Sequence, residues 1–311
     1  MDEEQKAQEG EELPEETPKT EDESEAEKTP PKKKWSVKKR LLVISLSVLL
    51  FVGAVLGSLQ LGVVHAQKSW KQWYPSYAKV DLLPVLQKSA LSEEDYALVY
   101  AQTGLTKIAV DDLLDSRGIA RILTIQDFYM QKRKVKTERF NPFTYSESID
   151  DFAPTAILQD GDIVVTSTTY VSGFRLGHAA LVVNGQARTI LEAFGPGDES
   201  GLHSVDTFTC LADFMVLRPK LDEDLRTKVA AYARENMVGA KYRFSIGLLS
   251  KKFPKKFEKT QCAHVPWYAY KKFGVDLDSN GGLVVTPPEI FRSKKIELVQ
   301  VFGFHPKKLW Y

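Results

Sequence analysis

The longest apolar run in the chain is Leu41–Val64, which carries no charge. About 24 helical residues at 1.5 Å each span roughly 36 Å, enough to cross a bilayer core of about 30 Å. The run predicts one transmembrane helix over 41–64, with Gly53, Gly57 and Gly62 ordinary for such a span. Beyond it, residues 65–150 read as helical and irregular. Ser92-Glu93-Glu94-Asp95 opens an amphipathic helix with Tyr96, Leu98, Val99 and Tyr100, and Gly104 stops it. Further helices are expected over Ile108–Leu114 and Ile119–Lys132. Asn141-Pro142 and the acidic run near Asp150 read as a linker, so 65–150 is expected to be a neck.

From about residue 155 the pattern changes to short apolar runs bounded by Gly, Asn and Pro. Asp162–Thr166, Ala179–Val183, Thr189–Ala193 and Phe214–Leu217 read as strands, with a hairpin signal at Asn184-Gly185. Asp222 is expected to cap a helix with Leu225, Val229, Tyr232, Ala233 and Met237 on one face, ended by Gly239. Cys262–Phe273 reads as another helix and Ile296–Phe302 as a last strand. Strands in runs, with a few helices beside them, predict an α+β domain over 151–311.

Charge adds orientation. Up to Pro31 there are 13 acidic residues and 3 lysines, and Trp35 is the first aromatic residue. Such a stretch buries too little apolar surface to offset its ordering entropy, so 1–40 is expected to be a disordered tail. The tail ends in a basic cluster, Lys32–Lys34 and Lys38–Arg40, while only Lys68, Lys71 and Lys79 follow the span closely. The positive-inside rule then places the N-terminus in the cytoplasm and the C-terminal domain outside. A cleaved signal peptide is the competing reading, because Val64-His65-Ala66 resembles a small-residue cleavage site. The run is longer than the usual apolar core of such a peptide, which favours an anchor. With only Cys210 and Cys262, the chain is no disulfide scaffold, although those two could pair. No metal-ligand spacing is visible, and neither a cofactor nor a nucleic-acid partner is expected.

Cys262 is the first candidate for chemistry. It lies where a helix is expected to start, and unpaired amides and the helix dipole there favour the ionised, reactive form of a thiol. Such a thiol needs an imidazole partner. His264 is two residues away and should point elsewhere on a helix. His178 opens a buried strand and could face a cleft. An imidazole in that role needs an acceptor on its other nitrogen, and Glu192 lies in the neighbouring strand. A strict two-residue turn at Asn184-Gly185 would turn Glu192 to the opposite face, whereas a three-residue loop or one bulge would bring it to His178. The plainer alternatives are a buried structural cysteine, a structural strand-end histidine and a solvent-facing glutamate.

The order of Gly161-Asp162-Ile163-Val164, Gly177-His178-Ala179, Leu191-Glu192-Ala193, Gly239-Ala240-Lys241-Tyr242, Gln261-Cys262 and Thr286-Pro287-Pro288-Glu289-Ile290 resembles one family. It is similar to the circularly permuted branch of the NlpC-type cysteine peptidases, the YiiX-like group, over residues 155–300. The resemblance implies a papain-like antiparallel sheet with packed helices. It also implies Cys262 as nucleophile, His178 as base, Glu192 as the third polar member, and Tyr242 as a donor near the site. Ala263 and His264 stand where the family often has Ser and Glu, and Arg243 where it commonly has Asp. The implied activity is a membrane-anchored, extracytoplasmic amidase or endopeptidase acting on cell-wall peptides. The alternatives are a lipid- or acyl-directed thiol hydrolase or acyltransferase, and a non-catalytic envelope-binding module.

Overall fold

The computed structural model describes residues 35–141 and 143–310. The expected disordered tail, up to Lys34, lies outside the described residues. The chain divides into two units, residues 1–51 and 52–311. What is described of the first is dominated by the beginning of helix α1 (Val37–Ser69), whose side chains there are exposed. α1 has 33 residues and is long and apolar enough to cross a membrane. It outruns the apolar stretch at both ends because polar flanking residues continue the same backbone ladder.

In the second unit the last turns of α1 are packed. Val63 and Ala66 are buried with Tyr145 and Tyr170. Arg175 donates to the Ala66 carbonyl at 3.0 Å and forms a two-pronged pair with Glu147 at 2.6 and 2.8 Å. Short α2 (Leu83–Leu86) follows, then α3 (Glu93–Thr103), α4 (Lys107–Asp115) and α5 (Ile119–Tyr129). The expected start signals of α3 form a full capping box. Ser92 accepts from the Asp95 amide, and the Asp95 carboxylate accepts from the Ser92 amide.

The stretch expected to be a linker contains β1 (Val135–Arg139) and β2 (Thr144–Ile149), an antiparallel pair. Sequence pattern missed them because Val-Lys-Thr-Glu-Arg and Thr-Tyr-Ser-Glu-Ser-Ile lack an apolar run. β2 also pairs with β4 (Tyr170–Val171), which follows β3 (Ile163–Thr166).

The main sheet continues with β5 (His178–Asn184), β6 (Thr189–Glu192) and β7 (Gly201–Ser204). After the short α6 (Asp206–Thr209) come β8 (Phe214–Pro219) and α7 (Glu223–Asn236). Two-residue β9 (Lys241–Tyr242) and β10 (Lys259–Thr260) precede α8 (His264–Lys272), α9 (Pro287–Phe291) and β11 (Ile296–Phe302). Six strands in the order β11-β8-β3-β5-β6-β7 form an antiparallel sheet. The fold is α+β, as the pattern of elements predicts.

Side chains alternate across this sheet. Ile163, Val165, Leu181 and Met215 pack with α7 and α8 on one face. Val164, Ala180, Val182 and Val216 face Val99, Val110, Leu113 and Ile122 of the helices on the other. The expected neck therefore shares a core with the sheet, and the boundary near residue 150 has no counterpart in packing. A buried ion-pair cluster adds to this junction. Arg218 of β8 binds Asp162 at 2.8 and 2.9 Å and reaches Asp112 of α4 at 2.7 Å.

Candidate active site

The register of the β5–β6 hairpin decides where Glu192 points. Leu181 pairs with Leu191 and Val182 with Ile190, but Asn184 pairs with Thr189 after a shift. The connection is thus the four residues 185–188 plus a bulge, not a strict two-residue turn. Counting by twos from the Val182–Ile190 pair puts Glu192 and His178 on one face. Their side chains meet: His178 Nε2 lies 2.6 Å from Glu192 Oε2, with both groups buried.

His178 is the first residue of β5, and the chain reaches it through Gly177. That glycine has φ +73°, and a Cβ there would lie 2.5 Å from the Thr166 carbonyl, so only glycine fits without strain. The imidazole stacks on Phe208 with its centroid 5.1 Å away, and the edge of Phe194 closes another side. Burial alone would lower the pKa of His178. Contacts with Cys262 and with Glu192 outweigh it and push the value up to about 10. Burial would likewise raise Glu192, but hydrogen bonds to His178 and His203 bring it down to about 2. The pair is therefore an imidazolium beside a carboxylate.

Cys262 sits in the turn just before α8, so the helix begins two residues later than expected. Its thiol is buried and free, as is the half-buried thiol of Cys210. Gln261 shapes the turn. Its Oε1 accepts from the Cys262 thiol at 3.4 Å and from the Ala263 amide at 2.9 Å, while its Nε2 donates to the Val285 carbonyl at 2.6 Å. The Ala263 amide is thereby occupied. Among the described residues no acceptor meets the Cys262 amide, so it is the donor of this turn available to a bound carbonyl oxygen.

Tyr242 reaches the same place because β9 runs beside β10, with Tyr242 opposite Thr260. Burial, with a smaller contribution from Cys262, raises its phenol, so the hydroxyl keeps its proton and remains a donor. Cys262, His178 and Tyr242 line one cleft of about 480 Å³, together with Gln261 and the 284–287 segment. That segment leads into α9, where Thr286 and Glu289 form a capping box and Pro287 and Pro288 occupy the first turn. The Thr-Pro-Pro-Glu motif thus builds one side of the cleft.

His264 is placed elsewhere, as helical spacing predicts. It bonds Thr260 at 3.0 Å and the Lys252 carbonyl at 2.7 Å, and burial lowers its pKa to about 4. His203 was not anticipated as a site residue. It lies on edge strand β7, and its Nδ1 is 2.9 Å from Glu192 Oε1, which Thr207 also contacts at 3.2 Å. The signal was weak, because a short polar strand such as Gly-Leu-His-Ser carries no apolar run. Among the described residues, no group of three or more His, Cys, Asp or Glu side chains is arranged to hold a metal ion.

No family profile, curated protein or solved structure matches this chain. The resemblance to permuted NlpC-type peptidases therefore rests on the order of its motifs.

Proposed function

We propose that the protein is a membrane-anchored thiol hydrolase of the permuted, papain-like kind, with Cys262 as nucleophile. The observation that carries this reading is the buried His178–Glu192 pair, 2.6 Å apart, whose His178 lines one cleft with Cys262. A binding module has no need to bury a charged pair next to a thiol, since each buried charge costs free energy unless paired. With the thiol proton carried by His178, Cys262 Sγ attacks a carbonyl carbon, and the new oxyanion is held by the Cys262 amide and the Tyr242 hydroxyl. The His178 imidazolium passes its proton to the leaving nitrogen or oxygen as that bond breaks. Water, deprotonated by His178, then opens the thioester, releasing an acid and Cys262 Sγ and leaving the proton on His178. Glu192 orients the imidazole and stabilises its charge.

The basic residues before the span, Lys38–Arg40 among them, support a cytoplasmic N-terminus and an extracytoplasmic catalytic unit. In that setting, wall peptides are the substrate the resemblance implies. The test incubates the full-length protein, beside Cys262→Ala, with wall fragments and with phospholipid vesicles, and assigns new amines or acids by mass. A product that forms equally with Cys262→Ala would refute the mechanism. Protease added outside intact cells should cut beyond the span and spare the tail; the reverse would overturn the orientation.

A further inference from the structure

The stretch that follows the anchor lines a groove of about 610 Å³, separate from the Cys262 cleft. Trp70, Lys71 and Tyr74 come from this stretch, Lys132 and Lys134 from the residues between α5 and β1, and Glu147 from β2. Distant parts of the chain thus bring three lysines to one concave surface. The charge there is one-sided. Glu147 is neutralised by Arg175 at 2.6 and 2.8 Å, and Arg133, which also lines the groove, pairs with Asp151 at 2.7 Å. Among the described residues no carboxylate pairs with Lys71, Lys132 or Lys134, and all three are exposed. Like charges around one hollow repel one another, and an anion between them turns repulsion into attraction. Tyr74 supplies an aromatic face, with the Lys132 ammonium 5.3 Å from its centre.

α1 sets the level of this groove. The apolar run ends at Val64, and α1 continues to Ser69. At 1.5 Å per residue, residues 67–70 stand about 4–9 Å beyond that end, in or against a headgroup layer about 5–7 Å deep. Trp and Tyr favour that layer, and basic side chains in it attract anionic lipid. Close contacts hold the groove there. A Cβ on Gly62 would lie 2.5 Å from the Ser172 carbonyl, and Gln72 donates to the Ala212 carbonyl at 2.8 Å.

We infer that this groove binds the phosphate of an anionic phospholipid headgroup, at a site distinct from the Cys262 cleft and independent of any reaction there. The phosphate oxygens accept from the ammonium groups of Lys71, Lys132 and Lys134, while Trp70 and Tyr74 lie against the glycerol. No bond is made or broken. A zwitterionic lipid carries the same phosphate, but its own ammonium competes with the lysines for it. The groove therefore selects headgroups with net negative charge.

The test is native mass spectrometry of the full-length protein in detergent, titrated with phosphatidylglycerol and, separately, with phosphatidylethanolamine. A groove variant, Lys71→Gln with Lys132→Gln and Lys134→Gln, is compared with a control, Lys251→Gln with Lys255→Gln and Lys256→Gln. The control removes the same charge outside the groove, and all six lysines are exposed, so both variants should fold. The first phosphatidylglycerol should bind about tenfold or more tightly than phosphatidylethanolamine in the wild type and the control. The groove variant should lose most of that preference, at about fivefold for each lysine. No preference in the wild type, a preference retained in the groove variant, or an equal loss in both variants overturns the inference. Displacement of the lipid by an equal concentration of glycerol 3-phosphate would assign the groove to a free phosphate ester and overturn its membrane source. None of these readings needs turnover, so they are decided apart from Cys262 as nucleophile.

Discussion

His203 Nδ1 lies 2.9 Å from Glu192 Oε1, the carboxylate oxygen that His178 does not use. Glu192 thus accepts from two imidazoles at once, one buried and one 44% exposed in its side chain. The outer histidine fixes the carboxylate plane from the solvent side, which sets the direction in which His178 is held. In the proposed mechanism His203 acts as a positioning residue. His203→Ala should lower kcat by roughly threefold to tenfold, about 0.7–1.4 kcal/mol, with little change in KM. His203→Asn, which keeps a donor, should recover part of the loss. A KM effect without a kcat effect would assign His203 to substrate contact instead.

Cys262 and His178 should behave as one unit. Either alanine variant should reduce turnover on the order of a thousandfold or more, and the double variant should cost little beyond either single one. Steady-state rates on the identified substrate measure this, and additive losses would show two independent roles.

The charged pair also sets a pH profile. His178 is raised to about 10, so its contribution to stability is complete below about 6.5 and is lost as pH climbs through about 10. Glu192 is lowered to about 2, so its contribution is present above about 4.5 and is lost as pH falls through about 2. Turnover that needs the imidazolium proton should decline on the alkaline side as His178 deprotonates. Glu192→Gln removes one of the groups that raises His178 and should move that decline toward neutral pH while retaining partial activity. A decline that stays in place would remove Glu192 from the control of His178.

Arg218 offers a test of packing. Arg218→Met should destabilise the protein by about 3–5 kcal/mol, because it leaves the buried Asp162 carboxylate without its cation. Asp162→Asn together with Arg218→Met should recover much of that loss. Denaturant titration of the full-length protein in detergent would measure both.

The joint with the anchor is equally specific. Gly62→Leu would place a Cβ 2.5 Å from the Ser172 carbonyl, so one segment must move. Displacement there should cost about 1–3 kcal/mol of stability and open the 170–177 segment to protease. Unchanged cleavage would mean that the contact is dispensable.

Much of this was legible in the sequence where one element explains the pattern. α3 has its capping box and Gly104 stop, and β11 matches the expected Ile296–Phe302 span. Cys262 and His178 could be singled out because a thiol at a helix start and a histidine at a strand end are local features. The Glu192 contact could not be fixed, since it depends on a bulge near Val183 that adds a residue without leaving a signature in composition. β1 and β7 escaped because they are polar and largely exposed, and β2 because most of its buried positions are polar, Thr144, Ser146, Glu147 and Ser148. The common core of helices and sheet escaped because apolar residues do not declare their partners.

The contact between Gly62 and the Ser172–Gly173 turn leaves no slack between the end of the apolar run and the cleft that holds Cys262. A site on a long tether sweeps a volume and meets substrate according to bulk concentration. A site mounted directly on its helix patrols a surface, and its encounter rate follows the number of substrate molecules per unit area. If the cleft turns over a substrate carried in the bilayer, diluting that substrate with additional inert lipid should slow turnover, although its concentration in the tube is unchanged.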